Sequence, residues 1–229
     1  MSEFIPEDLF VDDPVFVVRW RLQNRALPLK NRHLRAFSSS GVSNGLSSWA
    51  RQHIEWTLAE GTAKAPNGVL SLSVDEQGRA IMAAEPYEEL APHSVVELLE
   101  RTSSQVAQPV EGEVVWIAPA DGSELVALTG EAKPLSGANS LVADLAATLK
   151  KPVRFVPREV GENPAADTAF ALIEGLNPGD EVFLVSDEHG VVPSSDHGGP
   201  VGDQFATYYG RLVGLAKPDA HDRMNLGII

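Results

Sequence analysis

Alternation of apolar and polar positions is clearest at residues 15–22, VFVVRWRL, where Arg19 and Arg21 alternate with Val18, Trp20 and Leu22. A period of two built from β-branched and aromatic residues predicts a half-buried strand, closed by a turn at Asn24. After SSSGVSNG, which is rich in capping and turn residues, the period changes. In GLSSWARQHIEWTLAEG, Leu46, Trp49, Ala50, His53, Ile54 and Thr57 recur at spacings of three and four, which predicts a helix with one apolar face, ended by Gly61. VLSLSVDEQGRAIMAAEPY then reads as two short extended runs about a Glu-Gln-Gly turn, a hairpin. Between Ala91 and Val110 the pattern supports one amphipathic helix at most. Strands EVVWIA and ELVALT follow around Asp121-Gly122, then helix NSLVADLAATLKK, strand PVRFVPREV, a helix around AADTAFALIEG, strand EVFLVS, GVVPSS and a final helix DQFATYYGRLVGLA. Strands alternating with helices predict a sheet carrying helices on its face.

The fold class expected is therefore α/β: a small α+β unit at 1–90, a linking segment at 91–110, a larger α/β unit at 111–218 and an unpatterned tail at 219–229. Charge narrows the partners. With 18 Lys+Arg against 32 Asp+Glu, the net charge of −14 repels a polyanion, so nucleic acid is not expected. The absence of cysteine excludes disulfides, thiolate nucleophiles and Cys-ligated metals. It suits a reducing cytoplasm. The start MSEFIPEDLFVDD has neither the basic nor the apolar region of a signal peptide, and no window reaches the length of a membrane span. A cytoplasmic protein without a membrane partner is expected.

Asp187, Glu188, His189, Asp196 and His197 gather in SDEHGVVPSSDHGG, a set of oxygen and imidazole donors of the kind that takes a divalent ion. Their spacing matches no metal motif, so a solvated polar turn is the preferred reading and no metal is expected. His53, on the apolar helix face, is read as a hydrogen-bonded core histidine. Trp49 and Trp56, seven apart, are read as core or dimer contacts.

Three segments, in order, resemble the class IV (fold type IV) pyridoxal-phosphate aminotransferases and aminodeoxychorismate lyase. VFVVRWRLQNRALPLKNRHLRAF is similar to the family's early strand, turn and His-Leu-x-Arg-Leu segment. VLSLSVDEQGRAIMAAEPYEELAP is similar to the hairpin closing its small domain. PLSGANSLVADLAATLKKPVRFVPREV with ALIEGLNPGDEVFLVSDEHGVVPSSDHGGPVGDQFATYYGRLV resembles its second half. The resemblance implies the D-amino acid aminotransferase-like two-domain fold, a homodimer, pyridoxal phosphate as cofactor and amino-acid-type substrates or small anionic ligands. It also implies phosphate contacts at Gly137, Ala138 and Asn139, which stand where the family's helix-start amides cradle the cofactor, and at Ser186.

Departures from the family pattern fall on the chemistry. Residues 91–110 stand where the family carries its Schiff-base lysine and the acid that contacts the pyridine nitrogen, and they contain no lysine. Lys133, in GEAKPLSG, is the nearest candidate, but it lies just before the Gly turn. The family's phosphate arginine corresponds to Ala36, with Arg35 displaced by one residue. Two readings stay open: a scaffold that lost the chemistry and acts as a binding or assembly protein, and a pyridoxal-phosphate aminotransferase or aminodeoxychorismate lyase.

Overall fold

A computed structural model describes residues 14–61, 65–103, 110–129, 135–157 and 168–214. Strand β1 (Phe16–Arg21) is followed by helices α1 (Lys30–Ser39) and α2 (Asn44–Gly61), then by β2 (Val69–Val74) and β3 (Ala80–Glu85). The three strands form an antiparallel sheet in the order β1-β2-β3, with Arg19 opposite Ser71 and Trp20 opposite Leu70. Alternation then separates the two faces. Val18, Trp20 and Leu22 enter a core with Leu70, Leu72, Ile54 and Phe37, and α1 and α2 cover it. Arg19 and Arg21 are left on the opposite face. The apolar pattern does not single out helix α1 as a separate element. Its sequence, KNRHLRAFSS, is polar, and only His33, Leu34 and Phe37 are buried.

Helix α3 (Val95–Arg101) leads into β4 (Val114–Ala118), β5 (Leu125–Thr129), α4 (Gly137–Thr148), β6 (Val153–Pro157), α5 (Thr168–Glu174), β7 (Glu181–Ser186), β8 (Gly190–Pro193) and α6 (Pro200–Val213). The five strands lie in the order β6-β5-β4-β7-β8. Of these neighbours, only β5 and β6 pair in parallel, and α4 makes the crossover that parallel neighbours require. Helices cover both faces of this sheet. On one, Trp116, Ala127 and Phe183 pack against Val142 of α4 and Phe205 of α6. On the other, Val115, Val126 and Leu184 pack against Val95, Leu98 and Leu99 of α3 and Ala169 of α5. The helix within the 91–110 segment is thus part of the larger sheet's core. It starts with a capping box in which the Ser94 hydroxyl accepts from Glu97 N–H and the Glu97 carboxylate accepts from Ser94 N–H.

The two sheets meet through backbone as well as side chains. Arg21 N–H donates to Asp187 C=O at 3.0 Å, and Glu111 N–H to Val17 C=O at 2.8 Å. Arg32 of α1 reaches Ser140 Oγ at 3.1 Å and Asp144 at 2.7 Å on α4. Among the described residues, no helix is long and apolar enough to cross a membrane.

Candidate functional site

Strand β7 ends in a turn that Ser186 closes by accepting His189 N–H at 2.9 Å on its hydroxyl. Gly190 completes the turn at φ 73°. A side chain there would meet the Tyr209 ring as well as the strained backbone, so glycine is required twice over. The tight turn presents Asp187 and Glu188 to different partners.

Asp187 is buried at the start of α4. One carboxylate oxygen accepts Ala138 N–H at 2.6 Å, and the other stands 3.0 Å from His33 Nδ1. Burial pushes this carboxyl up. His33, by charge and hydrogen bond, and the Ala138 amide outweigh that and hold it below the usual carboxylate range. The imidazole is itself fixed, stacked on Trp20 with ring centres 5.5 Å apart and pressed against Gly137, where a Cβ would collide with it. One carboxylate thereby ties β7 to α1, α4 and, through Trp20, β1.

Glu188 faces the small sheet. Its two oxygens accept Arg19 Nε at 2.6 Å and Arg19 Nη2 at 3.0 Å, a forked pair. Arg19 Nη1 donates to Glu85 at 2.9 Å, whose other oxygen accepts from Ser71 Oγ at 2.9 Å. The hydrogen bond to Glu188 outweighs burial and holds the guanidinium above its ordinary range. His189, the third residue of the turn, lies 3.4 Å from Tyr87 Oη and 3.4 Å from Arg101 Nη2. Burial depresses its pKa to about 4 against the pull of Glu188, so the ring is neutral at pH 7. Arg101 also donates to Glu113 at 2.7 Å. Burial raises the Glu113 carboxyl above its usual value even with that partner. Arg21 lies over the Tyr87 ring, 3.1 Å from its centre.

The sequence-predicted residues are placed as follows. Gly137, Ala138 and Asn139 come together at the start of α4, all buried. The Asn139 side chain is a strut: it accepts Trp116 Nε1–H at 2.7 Å and donates to Gly112 C=O at 2.7 Å and Ser136 Oγ at 3.0 Å. Ser186 is buried in the β7–β8 turn. Arg35 is exposed on α1, and Lys133 lies outside the described residues. One expectation needs correction: Asp187 and Glu188 are buried, not part of a solvated turn, because Asp187 is hydrogen-bonded by the Ala138 amide and His33, and Glu188 is paired with Arg19 from the other sheet's unit. Asp196 accepts Val95 N–H at 3.0 Å, and His197 N–H donates to Ser194 Oγ at 3.0 Å. Among the described residues, no group of three or more His, Asp or Glu is placed to hold a metal ion. His53 meets Trp49 C=O at 2.9 Å from a half-buried position. Arg19, Arg21, Tyr87, Arg101 and Glu113 join the site without a motif to announce them. The one signal available for them is the pair of arginines on the polar side of β1.

No family model and no curated protein matches the sequence. Solved structures do match in shape. The 4-amino-4-deoxychorismate lyase from Pseudomonas aeruginosa superposes with a TM-score of 0.51 at 13% identity, over 86% of this chain and 90% of that one. A protein assigned as a 4-amino-4-deoxychorismate lyase gives 0.56 at 17% identity, over 91% and 95%. A branched-chain amino acid aminotransferase from T.th., solved with pyridoxamine 5'-phosphate, gives 0.51 at 14% identity, over 94% and 93%. The chain has the class IV aminotransferase fold, as its motifs imply.

The described residues do not fit the phosphate of pyridoxal phosphate at the helix start that the motif resemblance assigns to it. A phosphate there would face the Asp187 carboxylate, which already holds the Ala138 amide, and His33 occupies the space above Gly137. Like charges at that distance repel, and the helix start gives only about 1 kcal/mol to an anion. Ala36 supplies no guanidinium. Of the described lysines, Lys30 pairs with Glu55, and Lys150 and Lys151 follow the far end of α4.

Proposed function

We propose that this class IV-fold chain does not carry out pyridoxal-phosphate catalysis and acts instead as a binding or assembly protein. The observation that carries this reading is the Asp187 carboxylate on the Ala138 amide, locked there by His33. The protein brings its own anion to the helix start that the resemblance assigns to the cofactor. A small anionic or amino-acid-type molecule remains the ligand class, bound elsewhere on the scaffold. A homodimer in the cytoplasm, with units divided near residues 90 and 110, completes the proposal. The separate three- and five-stranded sheets support that division.

The test is the absorbance of the pure protein with added pyridoxal phosphate, followed by borohydride reduction and mass spectrometry. No aldimine band and no pyridoxyl adduct are expected. An adduct on Lys133, or on any single lysine, with turnover lost on its mutation, would overturn the reading. It would establish the second one, an aminotransferase or aminodeoxychorismate lyase, which the fold shared with such enzymes favours.

A further inference from the structure

Arginines and carboxylates gather where the small sheet meets the β7–β8 turn, and their pairing is uneven. Arg19 takes both Glu188 and Glu85, and Arg101 takes Glu113. Arg21 has no carboxylate at hydrogen-bond distance among the described residues; Glu188 and Glu89 act on it only through space. Among the described residues, its buried Nε and Nη1 have no hydrogen-bond partner, and neither has Nε of Arg101. Buried guanidinium N–H groups left unbonded are costly. Stacking on Tyr87 satisfies the face of the Arg21 guanidinium, whereas its donors point outward in the plane and need acceptors.

We infer that Arg21, backed by Tyr87 and flanked by His189 and Arg101, binds the oxyanion of a small molecule, a carboxylate or a phosphate group. His189 links Arg101 to the ring that backs Arg21, touching Arg101 on one nitrogen and the Tyr87 hydroxyl on the other. It brings no charge of its own at pH 7, so it neither adds to the unpaired positive charge nor cancels it. Arg21 and Tyr87 are half-buried, but Nε and Nη1 of Arg21 are themselves covered, so an oxyanion reaches them only as the side chains over them move aside. The site is separate from the start of α4, where Asp187 already meets the Ala138 amide and His33. The inference rests on reading the chain as a ligand-binding scaffold, yet the two fail separately: a simple oxyanion forms no aldimine, so its binding is blind to lysine chemistry.

The experiment is isothermal calorimetry on the full chain with inorganic phosphate and with malonate, each at ionic strength matched by sodium chloride. Saturable binding of at least one is expected, and the tighter of the two identifies the group recognised. Arg21→Met, which keeps an apolar stem over Tyr87, is expected to weaken that binding at least about tenfold. Arg21→Gln serves as the second variant should the first fold poorly. Without anion, Arg21→Met should melt no lower than the wild type, because it removes unbonded donors. With anion, the wild type alone should gain in melting temperature. Absence of saturable binding to the wild type up to about 10 mM, or equal affinity in the Arg21 variants, overturns the inference.

Discussion

Asp187 illustrates how much one side chain can hold. Replacing it with alanine strands the Ala138 amide and His33 inside the junction. Breaking a buried pair from one side costs about 3–5 kcal/mol, so Asp187→Ala should lose stability of that order in urea unfolding. Asp187→Asn, which can still accept from Ala138, should lose less. The acid limb of stability has two parts. His189 is neutral in the fold, with its pKa depressed from 6.5 to about 4, so the unfolded chain binds the extra proton first. Stability present above pH 6.5 should therefore fall as pH drops toward about 4. Asp187, also depressed, adds a loss only below the ordinary carboxylate pKa of 3.8. Glu113, raised by burial, acts in the opposite sense: its contribution is full below 4.5 and is lost as pH rises through its folded value. His189→Gln removes only the first of these. Urea midpoints measured across pH 4 to 7 should differ from the wild type by a slope confined to that window.

At the scale of elements, the period of apolar positions accounts for what was legible. β1, α2 and the β2–β3 hairpin follow from runs whose spacing leaves one face to bury, and α3 from the single amphipathic stretch in its segment. Helix α1 is hidden because three buried residues in ten give too sparse a stripe. The junction is illegible for a different reason. Arg19 and Glu188 lie 169 positions apart, and no local pattern announces that two such charges will neutralise each other. A run of Asp, Glu and His therefore reads as solvated when its partners are invisible. The helix-start residues 137–139 stand out as a group, but Asn139 is a strut and Asp187 already holds the neighbouring amide. Asn139→Ala leaves Trp116 Nε1–H and Gly112 C=O unsatisfied, each worth about 1–3 kcal/mol when buried. A lower urea midpoint, with altered fluorescence from Trp116, is the expected outcome.

For the whole molecule, the proposed dimer gives the next measurement. Helix α2 presents Trp56 to solvent at 60% exposure, beside the stacked pair of Trp49 and His53. An exposed tryptophan next to further aromatic surface is typical of interface centres. Light scattering at micromolar concentration should give twice the chain mass, with Trp56→Ala shifted toward the monomer. A monomer mass for the wild type would remove the dimer from the proposal. Because the net charge is −14, association should strengthen with added salt as repulsion between copies is screened.

The carboxylate at the start of α4 also constrains how this lineage, or an engineer, could install a phosphate-anchored cofactor at that helix. A Schiff-base lysine within reach would be insufficient while Asp187 holds the Ala138 amide. Deleting Asp187 alone passes through a destabilised protein, and moving His33 alone leaves the buried carboxylate without one of its hydrogen-bond partners. The substitutions must arrive together or in the company of stabilising ones, so the route is a valley crossed in pairs, not a staircase of single gains.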